Sequence, residues 1–385
     1  MPGTDILKKK IIDARTILSS YYMSLNYHTK AKDAVLPIVD LTLDLNYQKR
    51  LPAIYAAIGA YKLYIKEDKI EGIRYLSDAV KISKEVGDLI SLWFASYFLG
   101  GYLSVDCEFE EGLSHQKNSL DMSVIANNPI SIVVAKSTIS FGNYVFRGSI
   151  DLAYQTSSES LKLAKKTDDI FAKGIAHVSH GVSCFFKGLF DEAGNDLMKG
   201  FDFCVKSKHV VWQGWASFWL GEMYDVINEK EKATSSFKNT IDLFMERGGF
   251  TPSCINIAKL YVMFSNVSED NKDIILSSLI EYYDNITLKG LSGWAARYVG
   301  KILLNMNKHR LSDAENWIQK AIGTDKRNKT PWFLARDYAL YADWFMKKGD
   351  QPKAKENLNK AIEIFKECGA DGWVKKYQNE IASLS

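Results

Sequence analysis

Small residues recur about every 40 positions along this chain of 385 residues, and this period restricts the possible fold more than any other feature. The intervals are 40 or 41 residues, apart from one of 81 that spans two periods and passes Ile274. A second small residue usually lies twelve positions earlier, as Gly181 lies before Ala193. Helices approach closely only where side chains are small, so the paired positions predict repeated helical hairpins. The recurring residues are Gly72, Gly112, Ala153, Ala193, Ala233, Ala314 and Ala354.

Repeated hairpins of this length predict an all-α solenoid, a fold that presents surface more often than it performs chemistry. The chain is long for one compact core, yet no Pro-, Gly- or Ser-rich linker divides it, and it has only 7 prolines. In a solenoid each repeat buries its apolar face on its neighbours, so chain length is not limited. The 20 Tyr, 19 Phe and 9 Trp residues indicate packing or recognition, because aromatic side chains have only moderate helix propensity.

Charge and cysteine content exclude several classes of protein. With 49 basic and 46 acidic residues the net charge is only +3, which argues against a dedicated nucleic-acid-binding protein. The 5 scattered cysteines are typical of reduced thiols in a cytoplasmic protein. The N-terminus lacks the apolar run of a signal peptide, and no stretch approaches the ~18 apolar residues of a membrane span. We therefore expect a cytoplasmic protein with no membrane or nucleic-acid partner.

The unit around Ala193 shows the expected hairpin most clearly. Residues 169–187 are predicted to form a first helix that Gly188 ends, because glycine tolerates the left-handed backbone found there. A second helix is predicted from Phe190 to about Lys206. We expect a cap at residues 1–46, repeats over 47–368 and a closing helix within 369–385. The predicted hairpins cover residues 50–86, 88–126, 129–166, 169–207, 209–247, 251–288, 290–324 and 330–368.

The same unit carries a family resemblance. Gly181, Gly188, Phe190 and Ala193 stand at the spacing of the small and aromatic positions of the tetratricopeptide repeat. The resemblance implies a right-handed superhelix of hairpins with a concave groove. The period here is about six residues longer than the common one, and in this it is similar to the tetratricopeptide-like regions attached to large bacterial signalling ATPases.

A second segment strengthens that resemblance. Residues 349–373, beginning Gly349-Asp350 and ending at Trp373, resemble the C-terminal part of multidomain bacterial signalling proteins, and so do residues 336–342. In those proteins an AAA-type (STAND) ATPase, often joined to a class III nucleotide cyclase or a kinase, precedes such a helical region. The resemblance extends over about residues 30–385. It implies a sensory or interaction module whose partners include the ATPase or cyclase domains of its parent protein.

Enzyme motifs are not found in the sequence. It has no GxxxxGK[ST] loop to bind phosphates, and no HExxH, GxSxG or CxxC motif. His177 and His180 share a face of one predicted helix, and Cys184 follows four residues after His180. Two histidines do not complete a metal site, so polar positions on a partly exposed helix are the preferred interpretation. Asp168 and Asp169 are interpreted as helix-start charges. We expect no cofactor, no metal and no catalytic residue.

The first helix of each hairpin is expected to line the concave side, where ligands of solenoids usually bind. Positions three before, one after and four after its small residue should face that groove. An aromatic wall with acids at Glu222 and Asp225 suits an apolar peptide that carries a basic residue. Core packing of the same rings is the alternative. The candidate groove residues are Tyr61, Tyr64, Tyr97, Phe185, Trp215, Phe218, Glu222, Asp225, Arg336 and Asp343.

The segment from Trp212 to Trp219 tests these alternatives. Trp212, Trp215, Phe218 and Trp219 cannot all face one side of a helix, so at least one is expected on a recognition surface or against another copy of the chain. The main hypothesis is a non-catalytic scaffold that binds a peptide or protein segment in its groove and regulates a signalling ATPase or cyclase. The alternative is a sensor of a sugar or other small metabolite. No residue constellation supports an enzyme.

Overall fold

The computed structural model describes residues 2–265, 272–306 and 310–384, and within these ranges it contains helices and no strands. In these ranges no helix has the length and apolarity needed to cross a membrane. In chain order the α-helices are α1 (Pro2–Ser24), α2 (His28–Val35), α3 (Val39–Asp44), α4 (Leu51–Tyr64), α5 (Lys69–Val86), α6 (Leu89–Val105), α7 (Phe109–Ile125), α8 (Pro129–Thr138), α9 (Val145–Arg147), α10 (Ile150–Ala164), α11 (Ile170–Lys187), α12 (Phe190–Lys206), α13 (Val210–Val226), α14 (Lys230–Glu246), α15 (Pro252–Ser265), α16 (Lys272–Asp284), α17 (Lys289–Met306), α18 (Leu311–Asn328), α19 (Pro331–Lys348), α20 (Gln351–Cys368) and α21 (Asp371–Ser383).

From α4 onward the helices form consecutive antiparallel hairpins. The first helix of each hairpin packs on its own second helix and on first helices from other hairpins, as α17 does on α6 and α21 on α11. We call these first helices the inner helices: α4, α6, α8 with α9, α11, α13, α15, α17, α19 and α21. The others form an outer layer. The predicted all-α, tetratricopeptide-like solenoid is confirmed.

Small residues bring the two helices of each hairpin together, as the period predicts. A Cβ atom placed on Gly181 would lie 3.1 Å from the Ala193 carbonyl oxygen, and one on Gly100 would lie 2.8 Å from that of Gly112. Any larger side chain at Gly181 or Gly100 would separate the helices. The side chain of Ile274, which interrupts the period, lies outside the described residues.

One interval of 41 residues instead of 40 has a local structural cause. It separates Gly112 from Ala153, and between them residues Ile139–Tyr144 form a π-helical segment that joins α8 to α9. A π-helical turn contains one residue more than an α-helical turn, so it absorbs the extra residue without shifting the flanking hairpins. Phe141 lies within this segment, at the position where most other inner helices carry a small residue.

Helix ends follow the expected chemistry around Gly188. This glycine has φ of +85° and ends α11 in the left-handed conformation. The Asp169 carboxylate accepts a hydrogen bond of 2.6 Å from the Ala172 amide at the start of the same helix, as its interpretation as a helix-start charge predicts. Gly188 is also required for close approach, because a Cβ there would lie 2.5 Å from the Trp373 amide nitrogen.

The contact of Gly188 with Trp373 is one of a line of contacts between successive turns of the superhelix, which we call the seam. Hydrogen bonds along the seam join residues 181 to 188 positions apart, about four and a half repeats. Glu67 accepts a 2.9 Å hydrogen bond from the Ser253 amide, and Asp106 accepts one of 3.2 Å from the Lys289 amide. Acids at the ends of early inner helices therefore cap the starts of late ones. The seam draws the inner helices together and narrows the concave groove.

Candidate functional site

Four inner helices surround an open, polar pocket of about 230 Å³ on the concave side, which we call the charged pocket. Its walls come from α13, α17, α19 and α21, and Trp294, Trp373 and Tyr377 form its apolar part. Four of the ten candidate groove residues therefore meet in one place, although they come from two separate helices. The charged side chains around the pocket are Glu222, Asp225, Arg297, Lys301, Arg336, Asp343, Lys376 and Glu380.

The two acids of α13 are held by partners from α15 and α17. Glu222 is buried and accepts a hydrogen bond from the Tyr298 hydroxyl. Asp225 accepts a 3.0 Å hydrogen bond from the Tyr261 hydroxyl and forms a 2.7 Å ion pair with Lys301. Burial raises the pKa of Glu222, against the opposing effects of Arg336 and the Tyr298 hydroxyl. These acids therefore have partners within the protein.

Arg336 and Asp343, both on α19, are two of the pocket's unpaired charges. Within the described part of the chain neither forms an ion pair, and one guanidinium nitrogen of Arg336 is buried without a hydrogen-bond partner. The guanidinium lies over the rings of Trp332 and Trp373, which orient it by cation–π attraction. Water reaches Asp343, but the pocket walls remove part of its hydration and, together with Glu380, raise its pKa to about 6.

Below the charged pocket lies a buried ionic group that the sequence did not predict. Arg297 donates a 2.8 Å hydrogen bond to Asp337, and Thr330 donates one of 2.9 Å to Asp325. Burial raises the pKa of Asp325 to about 6, and burial and the neighbouring Asp325 raise that of Asp337. Two acids thus share one arginine. Gly293 makes room for them, because a Cβ there would lie 2.0 Å from an Asp325 oxygen.

Four further candidate residues surround a small apolar cavity between inner helices from both halves of the chain. Tyr64, Tyr97, Trp215 and Phe218 line this cavity of about 90 Å³, which we call the apolar cavity. Phe218 is 1% exposed, so it is a core residue, whereas Trp215 and both tyrosines are half-buried. These rings are buried or half-buried because the seam brings inner helices of successive turns into contact. The rings then fill the space along the superhelix axis.

The remaining two candidates lie apart from both pockets. Phe185 has no exposed surface and packs among Phe186, Trp219, Trp332 and Trp373. Phe185 is therefore part of the seam and does not line an open groove. Tyr61 is half-buried, and the Lys32 ammonium lies 4.6 Å from its ring centre. Of the four aromatic residues between positions 212 and 219, three are in the core and Trp215 alone is half-buried.

A larger apolar pocket of about 360 Å³ adjoins the apolar cavity between α1, α6, α7, α8, α11 and α13. Both are lined by Tyr97, Phe98 and Trp212. The Trp93 indole stacks on Tyr97 with ring centres 4.9 Å apart and donates a 2.9 Å hydrogen bond to Ser123. Sequence reasoning missed this pocket, because its walls come from helices of both layers and from the N-terminal helix.

Comparisons with known proteins agree on the fold and not on a family. No family model matches the chain, and no curated protein matches it. Among solved structures, a Rap protein complexed with Competence and Sporulation Factor aligns with 95% of this chain and 99% of its own, at 13% identity and a TM-score of 0.63. The apo form of RapI aligns with 92% and 98%, at 13% identity and a TM-score of 0.51.

A third similar structure is a STAND protein with a tetratricopeptide repeat sensor from Pyrococcus horikoshii. It aligns with 96% of this chain and 54% of its own, at 14% identity and a TM-score of 0.36, which is too low to support an inference. The described helices form a tetratricopeptide-like repeat, and the two Rap structures share this fold. The division into a cap, repeats and a closing helix stays a prediction.

Proposed function

We propose that this chain is a non-catalytic scaffold that binds a peptide or protein segment in the charged pocket. The observation that carries the proposal is the unpaired pair of charges, Arg336 and Asp343, on one concave wall. Charged side chains that lack partners in a preformed pocket are groups to which a ligand of opposite charge binds. A solved structure of the same fold is a Rap protein complexed with Competence and Sporulation Factor, which supports a binding role for the fold.

The chemistry of the pocket defines the ligand. Asp343 and Glu380 offer carboxylates to a basic side chain, and Arg336 offers its guanidinium to a carboxylate. Val226, which is partly exposed, and the edge of Tyr377 provide apolar surface beside them. The ligand is therefore a segment with a basic residue next to an apolar one, and an acidic group within reach of Arg336. Regulation of a bacterial signalling ATPase or cyclase is the setting that the sequence resemblance supports.

A displayed random peptide library tests this proposal. We expect wild-type protein to select peptides that combine basic and apolar residues, and Asp343→Asn to bind them at least about tenfold more weakly, since it removes one charge-assisted hydrogen bond. Arg336→Gln should weaken the binding of peptides that also carry an acidic group. Asp313→Asn is the control, because Asp313 lies on the outer helix α18. Equal binding to all four proteins would contradict the proposal.

A small-molecule sensor is the second candidate, and the larger apolar pocket favours it. Its volume of about 360 Å³ falls within the range of small-ligand sites, and its aromatic walls suit a flat or apolar molecule. A ligand that binds only the folded state raises the melting temperature. We expect a stabilising metabolite to lose its effect in Trp93→Ala and to keep it in Asp343→Asn. A metabolite screen without stabilisation would leave the scaffold as the sole candidate.

A further inference from the structure

The hairpin of α11 and α12 carries two pairs of metal-ligating side chains that face each other. His180 and Cys184 are four residues apart on α11, and Glu192 and Asp196 are four apart on α12. Residues with this spacing share one helix face. Because Gly181 and Ala193 hold the two helices in close contact, the two faces meet.

The donor atoms lie at separations that suit one small cation. His180 Nε2 is 3.7 Å from Cys184 Sγ and 3.8 Å from Asp196 Oδ2, and all three donors lie within 4.8 Å of one another. Zinc bonds of about 2.0–2.3 Å in tetrahedral geometry place neighbouring donors about 3.3–3.7 Å apart. Small side-chain movements would therefore bring the three donors onto one ion.

Neighbouring groups already orient the ligands. His180 Nδ1 is 3.1 Å from the Ser157 hydroxyl, and when that nitrogen carries the proton the lone pair of Nε2 faces Cys184 and Asp196. His177 Nδ1 is 2.7 Å from Asp196 Oδ1, which leaves Oδ2 directed toward His180. Outer partners of this kind fix the tautomer and the orientation of ligands at zinc sites.

The electrostatic surroundings favour a cation at this position. The Cys184 thiol has no exposed surface and donates a 3.8 Å hydrogen bond to Glu192 Oε2. Burial and the carboxylates of Asp196 and Glu192 raise the pKa of the Cys184 thiol. A divalent ion reverses this effect, because it neutralises the carboxylates and stabilises the thiolate.

We propose that His180, Cys184 and Asp196 bind a zinc ion, with Glu192 as the fourth ligand. A set of one nitrogen, one sulfur and two oxygen donors in a tetrahedral arrangement selects zinc among the common divalent ions. Binding converts the thiol to a thiolate and releases its proton to solvent. The ion joins α11 to α12 beside the seam, where Lys187 at the end of α11 contacts Asp371 of α21. The proposal does not depend on the function proposed above.

Titration of the metal-free protein with Co²⁺ tests the site. We expect one equivalent per chain to produce a thiolate-to-cobalt charge-transfer band together with the intense visible bands of tetrahedral Co²⁺, and Zn²⁺ to displace it. Cys184→Ser should remove the charge-transfer band, and Asp196→Asn should weaken Zn²⁺ binding about 10- to 100-fold. Cys204→Ser is the matched control, because Cys204 is a buried cysteine of the same hairpin whose pKa shift comes from burial alone.

Two results would overturn the proposal. One is a wild-type titration without the charge-transfer band, and the other is Zn²⁺ binding by Cys184→Ser as tight as that of wild type. The metal-free variants are first compared with wild type by circular dichroism. If Cys184→Ser does not fold, Glu192→Gln replaces it, because Glu192 is exposed and its substitution leaves the helix contact intact. Glu192→Gln should weaken Zn²⁺ binding at least about tenfold, and unchanged affinity would reject the site.

Discussion

The inner wall of this solenoid is packed closely around the apolar cavity and open at the charged pocket. We call these two regions the closed half and the open half. Tyr64, Tyr97 and Phe218 approach one another around a cavity of about 90 Å³, whereas Arg336 and Asp343 border an open pocket of about 230 Å³. Burial of an aromatic ring away from water lowers the free energy, whereas burial of an unpaired charge raises it. Equivalent positions in a repeat therefore become core or binding surface according to the side chain that occupies them.

The largest test of this contrast is Phe218→Ala. The side chain is 1% exposed, so its removal leaves a cavity, and we expect the free energy of unfolding to fall by about 3–5 kcal/mol. Asp343→Ala, in the open half, should not lower it, because the raised pKa of this carboxyl shows that its charge is unfavourable there. Urea denaturation followed by circular dichroism measures both. Equal, small effects would show that Phe218 faces solvent and that the two halves do not differ.

Asp325→Asn sharpens the contrast through pH. The folded-state pKa of Asp325 is about 6 against about 3.8 when unfolded, so its stabilising contribution is complete below about pH 4 and is lost as the pH rises through 6. Asparagine has no such dependence and retains an acceptor for Thr330. We expect the variant to gain stability relative to wild type between pH 4 and pH 8, by roughly 1–3 kcal/mol.

Denaturation curves at both pH values measure this difference, with Asp313→Asn, a partly exposed acid of the same helix, as the control. A variant whose stability follows the wild-type pH dependence would show that the Asp325 carboxyl titrates as it does in the unfolded chain.

The closed half should respond to pH with the opposite sign, because its buried titratable group is a histidine. His28 packs against Tyr64 and Phe250 with both ring nitrogens unpaired, and burial lowers its pKa from 6.5 to about 3. Stability is therefore lost as the pH falls below about 6.5. His28→Phe should reduce the loss between pH 7 and pH 4.5 by about 2–3 kcal/mol.

The same denaturation series measures this effect and compares it with His115→Phe on the outer helix α7. Burial lowers the pKa of His115 less than that of His28, so His115→Phe should reduce the loss by a smaller amount. If His28→Phe and wild type lose equal stability on acidification, His28 is hydrated in the folded state.

The hairpins follow from the sequence because Gly181 and Ala193 determine a local contact within about a dozen residues. The seam does not, since its partners are more than 180 residues apart and are unrelated in sequence pattern. Because the sequence pattern does not reveal these distant partners, Phe185 is predicted to line the groove but lies in the core. The zinc candidate could have been found, because the contact of Gly181 with Ala193 also brings His180 near Asp196. The partners of Glu222 and Asp225 could not, because Tyr298 and Lys301 lie two repeats away.

The smallest predicted effect concerns the seam, which joins early inner helices of the closed half to the late inner helices of the next superhelical turn. Glu67 accepts hydrogen bonds from the Ser253 amide and hydroxyl at the start of α15. Glu67→Gln weakens this remote helix cap, so we expect a loss of about 1 kcal/mol. Glu71→Gln, which breaks an exposed pair with Arg74 in the same repeat, should cost less than Glu67→Gln. Urea denaturation separates the two. If the Glu67 variant loses no more than the Glu71 variant, the seam contributes contact without stability, and the closed half is held by its aromatic packing alone.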